Sequence, residues 1–110
     1  QLDTVTAELP FLSPSIIPAD TYRGMDEATS LGIYMGVSAN STLDDDIVYD
    51  ITQAYWENHD QVSASFAPAK GMTPQDVIDN ATFPIHAGAL RYYQELGLEI
   101  PEDVIPPEAR

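Results

Sequence analysis

Alternation of apolar and polar positions is clearest over residues 29–39, TSLGIYMGVSA. Leu31, Ile33, Met35 and Val37 recur at every second position, which predicts a strand with one aliphatic face. The other face carries Ser30, Gly32, Tyr34, Gly36 and Ser38 and is nearly bare around its tyrosine. Glycines there let a ligand or another backbone come close, and close packing of a neighbouring element is the plainer reading. Upstream, QLDTVTAEL suits a short helix. Pro10, Pro14 and Pro18 forbid a longer one and leave SII as a short edge strand. ADTYRGMDE reads as a polar loop with Gly24 at its turn.

The spacing then changes from two to about 3.6. Residues 42–59 predict a helix capped by Ser41 or Thr42, with Asp44, Asp45 and Asp46 in a first turn that favours negative charge. Ile47, Ile51, Ala54, Tyr55 and Asn58 follow one face, with Val48 beside them. His59 falls in the last turn, and DQVSASF continues as a second helical piece after a bend. Thr73 opens another helix, with Pro74 at its first position and Asp76 completing a capping box. Val77, Ile78 and Ala81 are expected to face inward. The last helix spans about His86 to Leu96, with Ala89, Leu90, Tyr93 and Leu96 as its apolar stripe. Gly97 is placed to end it in the left-handed conformation. Residues 99–110 form an acidic, proline-broken tail, expected to be extended and either to drape over the body or to fray.

Length and composition narrow the classes. At 110 residues the chain allows a single domain with a modest core. Eighteen acids against four bases give a formal charge of −14. Nucleic acid is excluded as a partner, because phosphate binding needs clustered Lys and Arg. Anionic membrane surfaces are excluded for the same reason. Without cysteine there is no disulfide, thiolate metal site or Cys nucleophile. No apolar run approaches the ~20 residues of a membrane span. The chain begins with Gln1, as expected of a processed protein or a segment of a longer one.

Few residues suggest chemistry. Asp44-Asp45-Asp46 lacks the glycine and distal glutamate of a calcium loop, and a helix start accounts for it. His59-Asp60 and His86 are 27 residues apart, with no third ligand at metal spacing. No serine sits in a hydrolase elbow, and no glycine-rich loop cradles phosphate. Neither a cofactor nor a metal is expected, and the chain is not expected to be an enzyme. Arg23, Lys70 and Arg91 could each meet a carboxylate ligand. In so acidic a chain an internal salt bridge is the simpler expectation for each. Arg23 is the most interesting, because it sits in a loop beside Tyr22 and Gly24.

Three motifs in order, IIPADTYRGMDEATSLGIYMGV, LDDDIVYDITQAYWENHDQV and PIHAGALRYYQELGL, resemble the C-terminal third of the TAXI-type substrate-binding proteins. These are the extracytoplasmic receptors of TRAP transporters. The resemblance covers residues 11 to 98. Asp20 stands where that family usually has Gly, and Ala87 where it usually has Pro. The family's chains are several times longer, and their two lobes close over a ligand.

The resemblance implies an α/β, helix-rich fold: the C-terminal segment of a type II periplasmic-binding-protein-like fold, with short strands and three or four helices. Residues 1–110 would form a single partial domain. It implies a periplasmic protein that binds a small carboxylate or amino acid such as glutamate and delivers it to TRAP membrane permease subunits. Thr21 and Tyr22 match the family's hinge-side loop and are the leading ligand-binding candidates; local chemistry adds Arg23. His86 matches a His-Gly-Ala step and is expected to be structural, its ring bonded to nearby backbone. The alternative is a free-standing acidic protein-interaction module without small-molecule binding. A segment of a larger sheet would expose an unpaired strand and an apolar patch and could form a homodimer, whereas a free-standing module would be monomeric.

Overall fold

The computed structural model describes all 110 residues. They fall into two compact units, residues 1–37 and 38–110. The chain is helix-rich α/β, with five α-helices, short 3-10 turns and one two-stranded sheet.

The first unit holds α1 (Leu2–Glu8), β1 (Leu12–Ile17) and β2 (Ala28–Ile33). The strands pair antiparallel, from Leu12 opposite Ile33 to Ile17 opposite Ala28. Pro14 is tolerated because a two-stranded ribbon has only edges. Alternation predicted a strand to residue 39, but pairing stops at Ile33. Beyond it the partner positions would be Phe11 and Pro10, where the chain turns back, Leu12 N–H donating to the Leu9 carbonyl. Gly32 answers the question of its bare face: a Cβ there would lie 2.9 Å from Ser15 Cβ, so the close neighbour is the other strand. The aliphatic face of the ribbon is uncovered, with Ile33 68% and Ile16 63% exposed.

The second unit is built on α2 (Asp45–Glu57) and α5 (Ala87–Glu95). Between them lie α3 (His59–Ser65) and α4 (Pro74–Asp79). The cap of α2 is Asp44, not Ser41 or Thr42. Its carboxylate accepts from Asp46 N–H at 2.9 Å and Ile47 N–H at 3.4 Å, while Asn40 Oδ1 holds Thr42 in a preceding turn. His59 begins α3 rather than ending α2, because Asn58 breaks the helix. The capping box at Thr73 and Asp76 is present on both sides. Gly97, at φ 79°, closes α5: its N–H donates to the Gln94 carbonyl and that of Leu98 to Tyr93. This pair of bonds is the Schellman ending.

The core joins Ile78, Ile85, Leu90, Tyr92, Tyr93 and Val104. Val77 and Ala81 pack against it, as their spacing predicted. Leu96 does not belong to the stripe of α5 and is exposed; Gly88 and Tyr92 take the buried positions instead. The face of α2 is also turned. Val48 is buried and Tyr49 and Trp56 pack on the core, whereas Ile47 and Ile51 point to solvent. The tail drapes rather than frays. Val104 is 4% exposed, and its carbonyl accepts from Ile85 N–H at 2.8 Å.

Candidate functional site

The sequence candidates Thr21, Tyr22 and Arg23 occupy the connection between β1 and β2. Four main-chain and side-chain bonds fix this loop. Asp20 N–H donates to Met25 O, Met25 N–H to Tyr22 O, and both the N–H and the hydroxyl of Thr21 donate to Pro18 O. Asp20 takes φ 62° and Gly24 φ 76°, both in the left-handed region. Asp is among the few non-glycine residues that adopt this conformation at small cost, which is why Asp20 serves where the resembling family has Gly. The loop presents Thr21, Tyr22 and Arg23 side by side, all exposed. Arg23 makes no ion pair or hydrogen bond, so the internal salt bridge expected of it does not form. The Arg23 guanidinium and the Tyr22 phenol can both donate to a carboxylate, whereas the Thr21 hydroxyl spends its proton on Pro18 O.

Of the other bases, Arg91 does form the expected pair, with Asp46 at 2.8 Å, and lies 4.3 Å over the Tyr49 ring. The bond to Asp46 pushes the Arg91 guanidinium further up. Lys70 makes no salt bridge. It lines an open cleft of about 500 Å³ with His59, Asp60, Ser63 and Thr73. The polar groups of this cleft are mostly engaged. His59 Nε2 lies 2.9 Å from Ala69 O, and Ser63 Oγ donates to His59 O at 2.8 Å. Ser63 Oγ also lies 3.5 Å from His59 Nε2.

His86 is a helix cap. Its Nδ1 accepts from Gly88 N–H at 3.1 Å, and its Nε2 lies 3.1 Å from Leu43 O. An Nδ1 that accepts and an Nε2 that donates describe one neutral tautomer. The ring thus ties the start of α5 to the residue that precedes the α2 cap. Sequence reasoning missed why a glycine follows two residues later. A Cβ on Gly88 would collide with the Asp45 carbonyl and lie 2.9 Å from Tyr49 N and Val48 Cβ. Only glycine lets the two helices approach this closely. The signal lies in the His-Ala-Gly step itself, at its glycine.

His59 and His86 each bond to main chain and share no partner. No group of three or more His, Asp or Glu side chains is placed to hold a metal ion. Asp44 caps α2, as a helix-start reading of the acidic run requires.

Residues 1–97 match the family model of the NMT1-like family. The chain belongs to this family. Its members are periplasmic binding proteins related to TRAP and ABC substrate-binding proteins, and a general solute-binding role follows. They are typically extracytoplasmic, and no helix of this chain is long and apolar enough to cross a membrane. No solved structure matches the chain. The match ends at Gly97, the left-handed residue that closes α5, so the tail that brings Val104 into the core lies beyond it.

Proposed function

We propose that this chain is part of the solute-binding component of a TRAP-type transporter of the TAXI kind, working in the periplasm. It captures a small carboxylate or amino acid such as glutamate for uptake driven by an ion gradient, hands it to the permease subunits, and performs no bond chemistry. The observation that carries this reading is the match of residues 1–97 to a solute-binding family. The ordered motifs around Thr21, Tyr22 and His86 support the finer assignment. Arg23, exposed and without an acidic partner, supports an anionic ligand, because an unpaired guanidinium is the group best suited to a carboxylate.

The uncovered aliphatic face of the ribbon favours a segment that packs against more of a receptor over a free-standing acidic module. An edge strand of a free-standing protein is normally guarded by charge, and residues 28–43 carry none. Thermal unfolding with a panel of small acids, glutamate included, tests the function. A ligand at a hundred times its dissociation constant adds ~2.7 kcal/mol, a shift of roughly 10 °C at this size. A shift with one or more acids is the expected result. A cooperative melt indifferent to all of them favours the interaction module.

A further inference from the structure

Charge in residues 38–110 is as unbalanced as in the whole chain: thirteen acids and three bases fall there. The structure does little to offset it. Asp46 is the one carboxylate paired with a guanidinium. Asp45 faces His86 at 3.8 Å, an attraction that exists only when the ring is protonated. Lys70 is unpaired, and Arg110 donates to the Ile105 carbonyl rather than to an acid. All the acids of this unit are exposed except Asp76, which is half-buried and bonded within its capping box. No cluster of acids is built to hold a cation.

We infer that folding of this unit depends on ionic strength, with dissolved ions screening a self-repulsion that its own side chains leave uncompensated. Compaction is what makes the repulsion matter. A 73-residue chain has a radius of about 11 Å folded and about 26 Å unfolded, so folding brings every excess carboxylate closer to the others. The screening length is about 30 Å at 0.01 M salt, about 10 Å at 0.1 M and about 3 Å at 1 M. At the first value every acid in the folded unit repels every other. At the last only immediate neighbours do. The tail is the most sensitive part. It contributes Val104 to the core yet carries Glu99, Glu102, Asp103 and Glu108, none of them bonded to a side chain.

The test is thermal unfolding of the full chain, followed by fluorescence of Trp56, its single tryptophan, which packs on this core. From 10 mM buffer to about 0.5 M sodium chloride the melting temperature should rise by at least about 5 °C and then level off. Tetramethylammonium chloride at equal ionic strength should give the same rise, since screening does not depend on the identity of the cation. The quadruple variant Glu99→Gln, Glu102→Gln, Asp103→Asn, Glu108→Gln should melt higher than the parent in low salt and respond less to added salt. A melting temperature that is flat or falls with salt overturns the inference, as does a chain unfolded at every salt concentration. A rise with sodium but not tetramethylammonium, or a variant whose salt response is undiminished, also overturns it.

Discussion

Gly88 sits where the first turn of α2 passes the first turn of α5, and its missing side chain sets the distance between them. Because the atoms a Cβ would meet are the Asp45 carbonyl and the Tyr49 amide, neither can swing away as a flexible side chain would. Gly88→Ala is therefore expected to cost about 1–3 kcal/mol, the usual range for overpacking, despite alanine's better helix propensity. Urea unfolding reads this directly. His86 acts on the same junction by hydrogen bonding. His86→Ala removes the cap of α5 and orphans the Gly88 N–H, for an expected loss of about 1–2 kcal/mol. His86→Asn keeps an acceptor for Gly88 but shortens the reach to Leu43, so it should fall between. Neither residue lies in the loop of Thr21, Tyr22 and Arg23. In a ligand-binding receptor both substitutions should lower stability more than affinity, and calorimetry beside urea unfolding separates the two effects.

At the scale of elements, the pairing of α2 with α5 rests on aromatic contacts more than on aliphatic ones. Tyr49 and Tyr92 meet edge to face, and Trp56 Nε1–H donates to Tyr93 Oη at 3.2 Å. Three phenols of this interface resist ionisation. The hydrogen bond to Glu95 holds Tyr49 above the ordinary tyrosine value, and burial raises Tyr92 and Tyr93. In each case the folded state binds its proton more tightly than the unfolded chain does. The stabilisation is therefore complete below pH 10, the ordinary value, and is lost as pH rises through the raised folded-state values. Melting temperature should fall as pH rises above 10, while absorbance at 295 nm shows these tyrosines ionising late or only on unfolding.

The burial of α2 gives a sharper contrast. Val48→Ala should cost about 1–2 kcal/mol in this chain, and Ile51→Ser should stay within about 0.5 kcal/mol, since Val48 is 7% exposed and Ile51 58%. Equal losses would mean the helix is turned the other way.

For the molecule as a whole, what the sequence disclosed was what is decided locally. The box of Thr73 and Asp76, the ending at Gly97 and the break before the second helical piece depend on neighbours within a turn. The face of α2 does not. Its stripe of Ile47 and Ile51 is the more hydrophobic, yet Tyr49 and Trp56 are the residues facing α5. A helical pattern identifies an apolar face without saying which other element will cover it. Pairing of β2 failed for the same reason: alternation runs on to Val37, but the partner strand gives out at Leu12. Gly88 needed knowledge of a crossing helix, which no spacing within residues 83–97 contains. The loop at residues 18–25 was legible from its polar composition and Gly24, but Thr21 and Tyr22 became candidates through the family resemblance, and the freedom of Arg23 is a matter of which acids the fold brings near it.

The proposal of an anionic ligand puts this free guanidinium against a carboxylate. The measurement that addresses it most directly is titration calorimetry of glutamate and other small carboxylates into the chain and into its Arg23→Gln variant. The account predicts that at least one acid binds the parent, and that the variant binds it at least about tenfold more weakly, as the loss of one charge-assisted contact implies. Heat of binding that is unchanged in the variant would remove Arg23 from the site. No heat with any acid would contradict a carboxylate site within these 110 residues.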